Sequence, residues 1–203
     1  MREMPDHSAR EEAIVTTAIE LAEANGVAGV TTAALARRLQ FTEAALYRYF
    51  PGKSAIIAAA LRHQTERLFA TMLLELMPEA VQNGQTVRPQ LERHLHRFVN
   101  HNGLLLELLI SAAGGRDKAL QVAGGEVLHE YDRRMTDYFG QLQRFGLIGT
   151  HMPAAEISRL WVCQLLGGFV RCRLAGESWD PVHQPGFQAF AGQLRPTTQP
   201  VDS

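Results

Sequence analysis

The chain has 203 residues, of which 46% are hydrophobic, and a formal net charge of −1. This length supports one sizeable core or a small domain fused to a larger one, and the near-neutral balance excludes a uniformly basic coat for nucleic acid. No apolar run is long enough to span a membrane, and the acidic, polar N-terminus is unlike a signal peptide, so a cytoplasmic location is expected.

The first predicted helix starts at Ser8, which forms an S-x-x-E capping box with Glu11. Ile14, Ala18, Leu21 and Ala22 make its apolar stripe, and Asn25-Gly26 stops it. Two short helices follow. Thr31 or Thr32 caps the first, because a threonine hydroxyl accepts from an orphan N–H. Leu35, Ala36 and Leu39 form its inward stripe, Phe41 plugs the turn, and Thr42 caps the second helix. Leu46 and Phe50, four apart, give that helix a buried face, leaving Glu43, Ala44, Tyr47 and Arg48 to point outward. Pro51-Gly52 ends it, since proline disfavours a helical residue before it.

Two short helices around a tight turn, with a basic, tyrosine-bearing tail, form a helix-turn-helix pattern and point to the DNA major groove. Charge is distributed accordingly. Residues 1–30 carry two basic and six acidic groups, whereas residues 31–67 carry six basic and two acidic ones. Positive charge is thus concentrated where phosphates would be met, and no basic N-terminal arm is expected in the minor groove.

The pattern Thr31-Thr32, Leu35-Ala36, Leu39, Phe41-Thr42, Leu46-Tyr47, Tyr49-Phe50 and Lys53 resembles the tetracycline-repressor family of bacterial transcription regulators. The stretch Glu43-Ala44-Ala45-Leu46-Tyr47-Arg48 with Phe50-Pro51 is also similar to the branch that contains a nucleoid-occlusion division inhibitor. Three positions depart from the family pattern. Gln40 stands where glycine is usual in the turn, Ala45 where serine or threonine is common, and Ala33 where some members carry a base-reading arginine. The resemblance implies DNA contacts from Thr31, Thr32, Thr42, Glu43, Ala44, Tyr47, Arg48, Tyr49 and Lys53. Tyr47, Tyr49 and Lys53 would hold phosphates. Arg48 would read a guanine edge or hold a phosphate. Glu43 would accept from a cytosine amino group or simply favour the helix N-terminus.

A long helix is predicted from about Ser54 to Met77, closed by Pro78, then a loop over residues 82–88. Helices follow over Pro89–His101, Leu104–Ala113 and Asp117 to about Phe145, with Gly124-Gly125 as a kink or close-packing point. Pro153 suits the first turn of a helix running to about Ala175. Gly176 to Gly186 reads as a loop, and a last helix covers about Phe187–Leu194. There is no internal repeat and no credible strand. Cys163 and Cys172, nine apart on opposite faces of one helix, are expected as buried free thiols.

The expected fold is all-α, with a three-helix helix-turn-helix domain over residues 1–52. A helical bundle for ligand binding and dimerisation spans 53–195, and a flexible tail 196–203. Glu107, Ser111, Tyr131, Tyr138 and Gln164 are polar groups on otherwise apolar helices, as a small-ligand pocket requires. Leu160, Cys163, Leu166, Gly167 and Val170, with Phe187, Phe190 and Leu194, are expected at a dimer face. His94, His96 and His101 have no metal-ligand spacing, and no nucleophile elbow, P-loop or dinucleotide fingerprint occurs. The reading therefore assigns no metal, no cofactor and no catalysis. By resemblance, the chain is a homodimeric repressor on a pseudo-palindromic operator in double-stranded DNA, released by an unknown small apolar ligand. The alternative is a DNA-binding protein whose C-terminal domain contacts a protein partner such as a cell-division component.

Overall fold

The computed structural model describes residues 7–75, 87–178 and 180–194. Among the described residues the chain is all-α, with nine helices and one 3-10 turn. The helices are α1 (His7–Gly29), α2 (Thr32–Leu39), α3 (Glu43–Leu46), α4 (Lys53–Glu75), α5 (Val87–His101), α6 (Gly103–Gly114), α7 (Lys118–Arg144), α8 (Ala154–Ala175) and α9 (Pro185–Gln193), with the 3-10 turn at Pro181–His183. The expected end of the long helix near Met77, residues 82–86 of the expected loop and the tail 196–203 lie outside the described residues, whereas residues 87 and 88, also expected in that loop, are already helical in α5.

The helices divide into two compact units. The first holds the described residues up to Arg67 together with Gly103–Val127. Its core includes Ile14, Leu35, Leu46, Ile56, Leu61 and Leu106, all buried. The start of α7 lies against α6 at Gly124, where a Cβ would come within 3.1 Å of the Ala112 methyl. Gly124 is thus a close-packing point inside a helix that continues through it. Asp117 caps that helix by accepting from Leu120 N–H at 3.1 Å. This bond, with one from Ser54, holds the Asp117 carboxyl below its ordinary range.

The second unit holds Leu68–Asn102 and Leu128 onward. Its core is aromatic and centred on the buried Trp161. His94 stacks on that indole at 6.1 Å, and Phe139, Phe187 and Phe190 approach it at 6.1, 6.4 and 5.8 Å between ring centroids. The indole N–H donates to Tyr131 Oη at 2.9 Å, pairing both polar tips inside the core. Burial pushes the Tyr131 phenol above its ordinary range. Ser158, fully buried on α8, donates to the backbone oxygen of Asp132 on α7 at 3.0 Å.

Several local expectations change. His7 is already helical, so Ser8 lies within the first turn instead of preceding it, and His7 Nδ1 lies 3.4 Å from Glu11 Oε1. Gly26 does break the helix, with φ 72°, but helical hydrogen bonding resumes beyond it to Gly29. The expected loop from Gly176 contains the 3-10 turn, and α9 begins at Pro185, whose fixed φ suits a first helical position. Cys163 is exposed, and only Cys172 is a buried thiol.

The Trp161–Tyr131 bond gives a direct test of the aromatic core. Tyr131→Phe removes the acceptor and strands a buried indole N–H, which should lower stability by about 1–3 kcal/mol. Urea unfolding followed by far-UV circular dichroism measures the loss; an unchanged midpoint would contradict the bond.

Candidate nucleic-acid interface

In the first unit, α2 and α3 are shaped by local chemistry. Thr31 sits in extended backbone before α2 and its hydroxyl accepts from Ala34 N–H at 3.1 Å. Thr42 repeats the arrangement before α3, accepting from Ala45 N–H at 3.1 Å. Each hydroxyl accepts at the cap and retains its own proton to donate. Between the caps Gln40 takes the left-handed conformation, φ 57° and ψ 38°, usually assigned to glycine. Phe41 N–H then closes the turn onto Ala36 O at 2.8 Å, and the Arg10 guanidinium lies 5.1 Å from the Phe41 ring centre.

The second short helix is shorter than the sequence pattern suggests. Regular α-helix covers only Glu43–Leu46, and tighter turns carry the chain to Phe50, with Tyr49 N–H reaching Leu46 O at 2.9 Å. Leu46 is buried and Phe50 half-buried, so the inward face holds. Glu43, Ala44 and Arg48 are exposed, and Tyr47 is 52% exposed. Tyr49 is half-buried, its ring 4.8 Å from that of His7. Lys53 Nζ is 3.5 Å from Val27 O, beyond the Gly26 break. Arg38 turns back to Glu20 at 3.6 Å, so part of the basic excess is neutralised locally.

One contact had no signal in the sequence pattern. Thr32 Oγ1 donates to Glu43 Oε2 at 2.6 Å, joining the first turns of α2 and α3. The spacing of eleven residues follows no helical or turn rule. Thr32 therefore differs from Thr31 and Thr42, because its proton is already engaged.

The residues expected at a dimer face separate in the second unit. Leu160 is 42% and Val170 36% exposed, Cys163 and Gly167 are exposed, and Leu166 is half-buried. The same row ends at Leu174, 85% exposed, which lies beyond the residues expected at that face. Phe187, Phe190 and Leu194 require correction: they are buried within the protomer, two of them against Trp161, and so are not presented outward. The expected pocket residues are divided between the two units. Glu107 and Ser111 are half-buried on α6 in the first unit. Tyr131 is bonded inside the aromatic core, and Tyr138 is buried with its ring 5.6 Å from Phe139. Gln164 alone of the five borders a half-open groove of about 610 Å³, between Leu160, Cys163 and Gly167 on α8 and Gln184–Phe187. Its carboxamide fits over Gly186, where a Cβ would fall 2.7 Å from Oε1.

The left-handed turn should respond to side-chain shape. Gln40→Val places a β-branched residue at positive φ and should cost about 1–2 kcal/mol, whereas Gln40→Gly should hold or raise stability. Thermal unfolding of the two variants checks the ordering; equal midpoints would contradict it.

Residues 14–60 match the family described as bacterial regulatory proteins, tetR family. Over 116 residues the chain is 34% identical to the nucleoid occlusion factor SlmA of Marinobacter nauticus, covering 55% of this chain and 57% of that protein. The chain spans less than two thirds of the length of such curated relatives. A tetR-family transcriptional regulator from Cytophaga hutchinsonii superposes with a TM-score of 0.73 at 15% identity, covering 95% of this chain and 96% of that one. The reduced form of E. coli NemR superposes with a TM-score of 0.75 at 12% identity, covering 94% and 100%. No described helix is long and apolar enough to cross a membrane. The capped helix-turn-helix thus lies within the segment, residues 14–60, that matches the tetR family, and the all-α fold is similar to that of solved tetR-family regulators.

Proposed function

We propose that this chain is a homodimeric, cytoplasmic repressor of transcription, each copy placing residues 42–49 in one half of a pseudo-palindromic operator. The observation that carries this reading is the capped α2–turn–α3 unit, which buries Leu46 while leaving Ala44, Tyr47 and Arg48 outward. In this role the Thr31 and Thr42 hydroxyls, the Tyr47 phenol and Lys53 hold phosphates and set register, while residues at the start of α3 meet base edges. Tyr49, half-buried beside His7, supports that surface and reaches a phosphate with its hydroxyl. The role is binding, with no reaction.

The exposed row Leu160, Cys163, Gly167, Val170 and Leu174 supports self-association through α8. Its alternating spacing of three and four makes a continuous stripe, and a self-complementary face matches a two-fold operator. The second copy covers Leu166 as well. Release by a small apolar ligand completes the reading, provided that ligand binds the DNA-incompetent state more tightly.

A second reading is favoured by two observations. The Tyr131 and Tyr138 side chains are built into the aromatic core, and the curated relatives are nucleoid occlusion factors. Under it, the protein binds DNA in the same way while its C-terminal region contacts a protein partner such as a cell-division component. Operator binding followed by fluorescence anisotropy across a panel of apolar and aromatic compounds separates the two readings. Release by a compound supports the ligand reading, and no release by any compound supports the protein-contact reading.

The DNA surface is tested by combining Tyr47→Phe with Lys53→Ala. Affinity for all duplexes should fall at moderate salt, and the salt slope should shrink by about one for the lost ammonium. Parent-like binding would place the contact surface elsewhere. The dimer face is tested by Gly167→Arg, which puts a charge into the stripe and should yield monomers that lose specific DNA binding together with self-association. A sedimentation profile still dimeric would move the interface away from α8.

A further inference from the structure

Glu43 places a carboxylate on the face that, in the reading above, meets a polyanion. It is the first residue of α3, it is exposed, and it is followed by exposed Ala44 and, one turn later, by exposed Tyr47. Such a charge is repelled by phosphates whatever the base sequence. Yet it is not left to swing away from the surface. Thr32 Oγ1 donates to its Oε2 at 2.6 Å, tying it to the first turn of α2. A carboxylate offers about four acceptor sites on two oxygens, so one hydroxyl donor leaves it able to accept further.

We infer that Glu43 is a specificity-determining residue that selects cytosine by accepting from its exocyclic amino group in the major groove, with Thr32 as the positioning residue that aims it. The inference rests on the DNA-binding reading above. The chemistry of the base edges decides which base is taken. Guanine presents two acceptors there, and thymine an acceptor beside a methyl, so both reject a carboxylate. Adenine has an amino donor, but its N7 acceptor lies next to it and repels the second carboxylate oxygen. Cytosine presents an amino donor with no acceptor beside it on its own major-groove edge, the paired guanine O6 lying on its other side. Glu43 thus lowers affinity for DNA in general and recovers it where cytosine stands opposite, which is discrimination by penalty. The bond from Thr32 contributes by fixing the carboxylate before binding, so that less freedom is lost at the interface.

The test uses the full chain and a randomised duplex library. Sequences are selected with the parent, Glu43→Ala, Thr32→Val and Thr32→Ser, and affinities for the enriched duplex and its single-base variants are measured by anisotropy. The parent should enrich cytosine at one position of each half-site, by about tenfold over other bases. Glu43→Ala should lose that preference alone, keep the remaining consensus and bind non-specific duplex more tightly. Thr32→Ser should keep the preference, and Thr32→Val should blunt it. Unchanged base preferences in Glu43→Ala overturn the inference. So does a uniform loss of binding in that variant accompanied by a lower melting temperature, which assigns the pair a purely structural role. A parent that enriches no sequence overturns the DNA-binding reading itself, a different failure from either.

Discussion

A helix of four residues cannot hold itself. Nucleation is unfavourable, and so short a segment gains almost nothing from propagation, so the geometry of α3 is imposed by what surrounds it. The Thr42 cap satisfies its first turn, and the left-handed Gln40 and the Phe41 bond to Ala36 set its angle to α2. The buried Leu46 fixes its rotation about its own axis. With the rotation fixed, the outward set Glu43, Ala44, Tyr47 and Arg48 is fixed as well. The outward chemistry of this helix, on which the proposed DNA contacts rest, is thus a consequence of how one short, dependent segment is held from outside.

Much of this was legible in the residues, and the reason is that the rules involved are local. Threonine capping, apolar spacing within two turns and proline exclusion each act over a few residues, so Thr42, Leu35 and Leu46 could be placed from the sequence and the first cap narrowed to Thr31 or Thr32, of which the structure uses Thr31. Gln40 was readable as an anomaly, because a non-glycine in that turn must take positive φ or alter the turn, and it takes positive φ. The Thr32–Glu43 and Lys53–Val27 contacts were not readable. They join residues eleven and twenty-six apart, and no period or propensity encodes a distance across two turns. Ser8 misled because a capping box can be satisfied in sequence without the backbone leaving the helix there.

In the second unit the limits of periodicity are plainer. Apolar spacing says that a side chain is covered, not by what. Phe187 and Phe190 have the aromatic character of an interface and are instead walls of the Trp161 core. Tyr131 reads as a polar group available to a ligand, yet its hydroxyl is taken by the indole. The two errors have one cause: a single central tryptophan needs both apolar walls and a hydrogen-bond acceptor, and it recruits them from distant helices. What remains outward on α8 includes, beside charged residues, the small and aliphatic row Leu160, Cys163, Gly167, Val170 and Leu174 that the tryptophan did not need.

The cap hydroxyls of Thr31 and Thr42 carry a consequence for how this surface can vary over evolutionary time. Each has two duties, capping the start of a helix and keeping a proton to donate, and few side chains can do both. Serine can. Asparagine caps well but replaces the hydroxyl with a longer amide, and aspartate caps well but turns a negative charge toward a polyanion. Alanine fails at both duties at once. The permitted alphabet at these two sites is therefore nearly binary, whereas Ala44 and Arg48, which brace nothing in the fold, are free to drift. Under the proposed DNA-binding role, new target sequences can be acquired at the drifting sites while the two hydroxyls hold the protein at the same height and angle on any duplex.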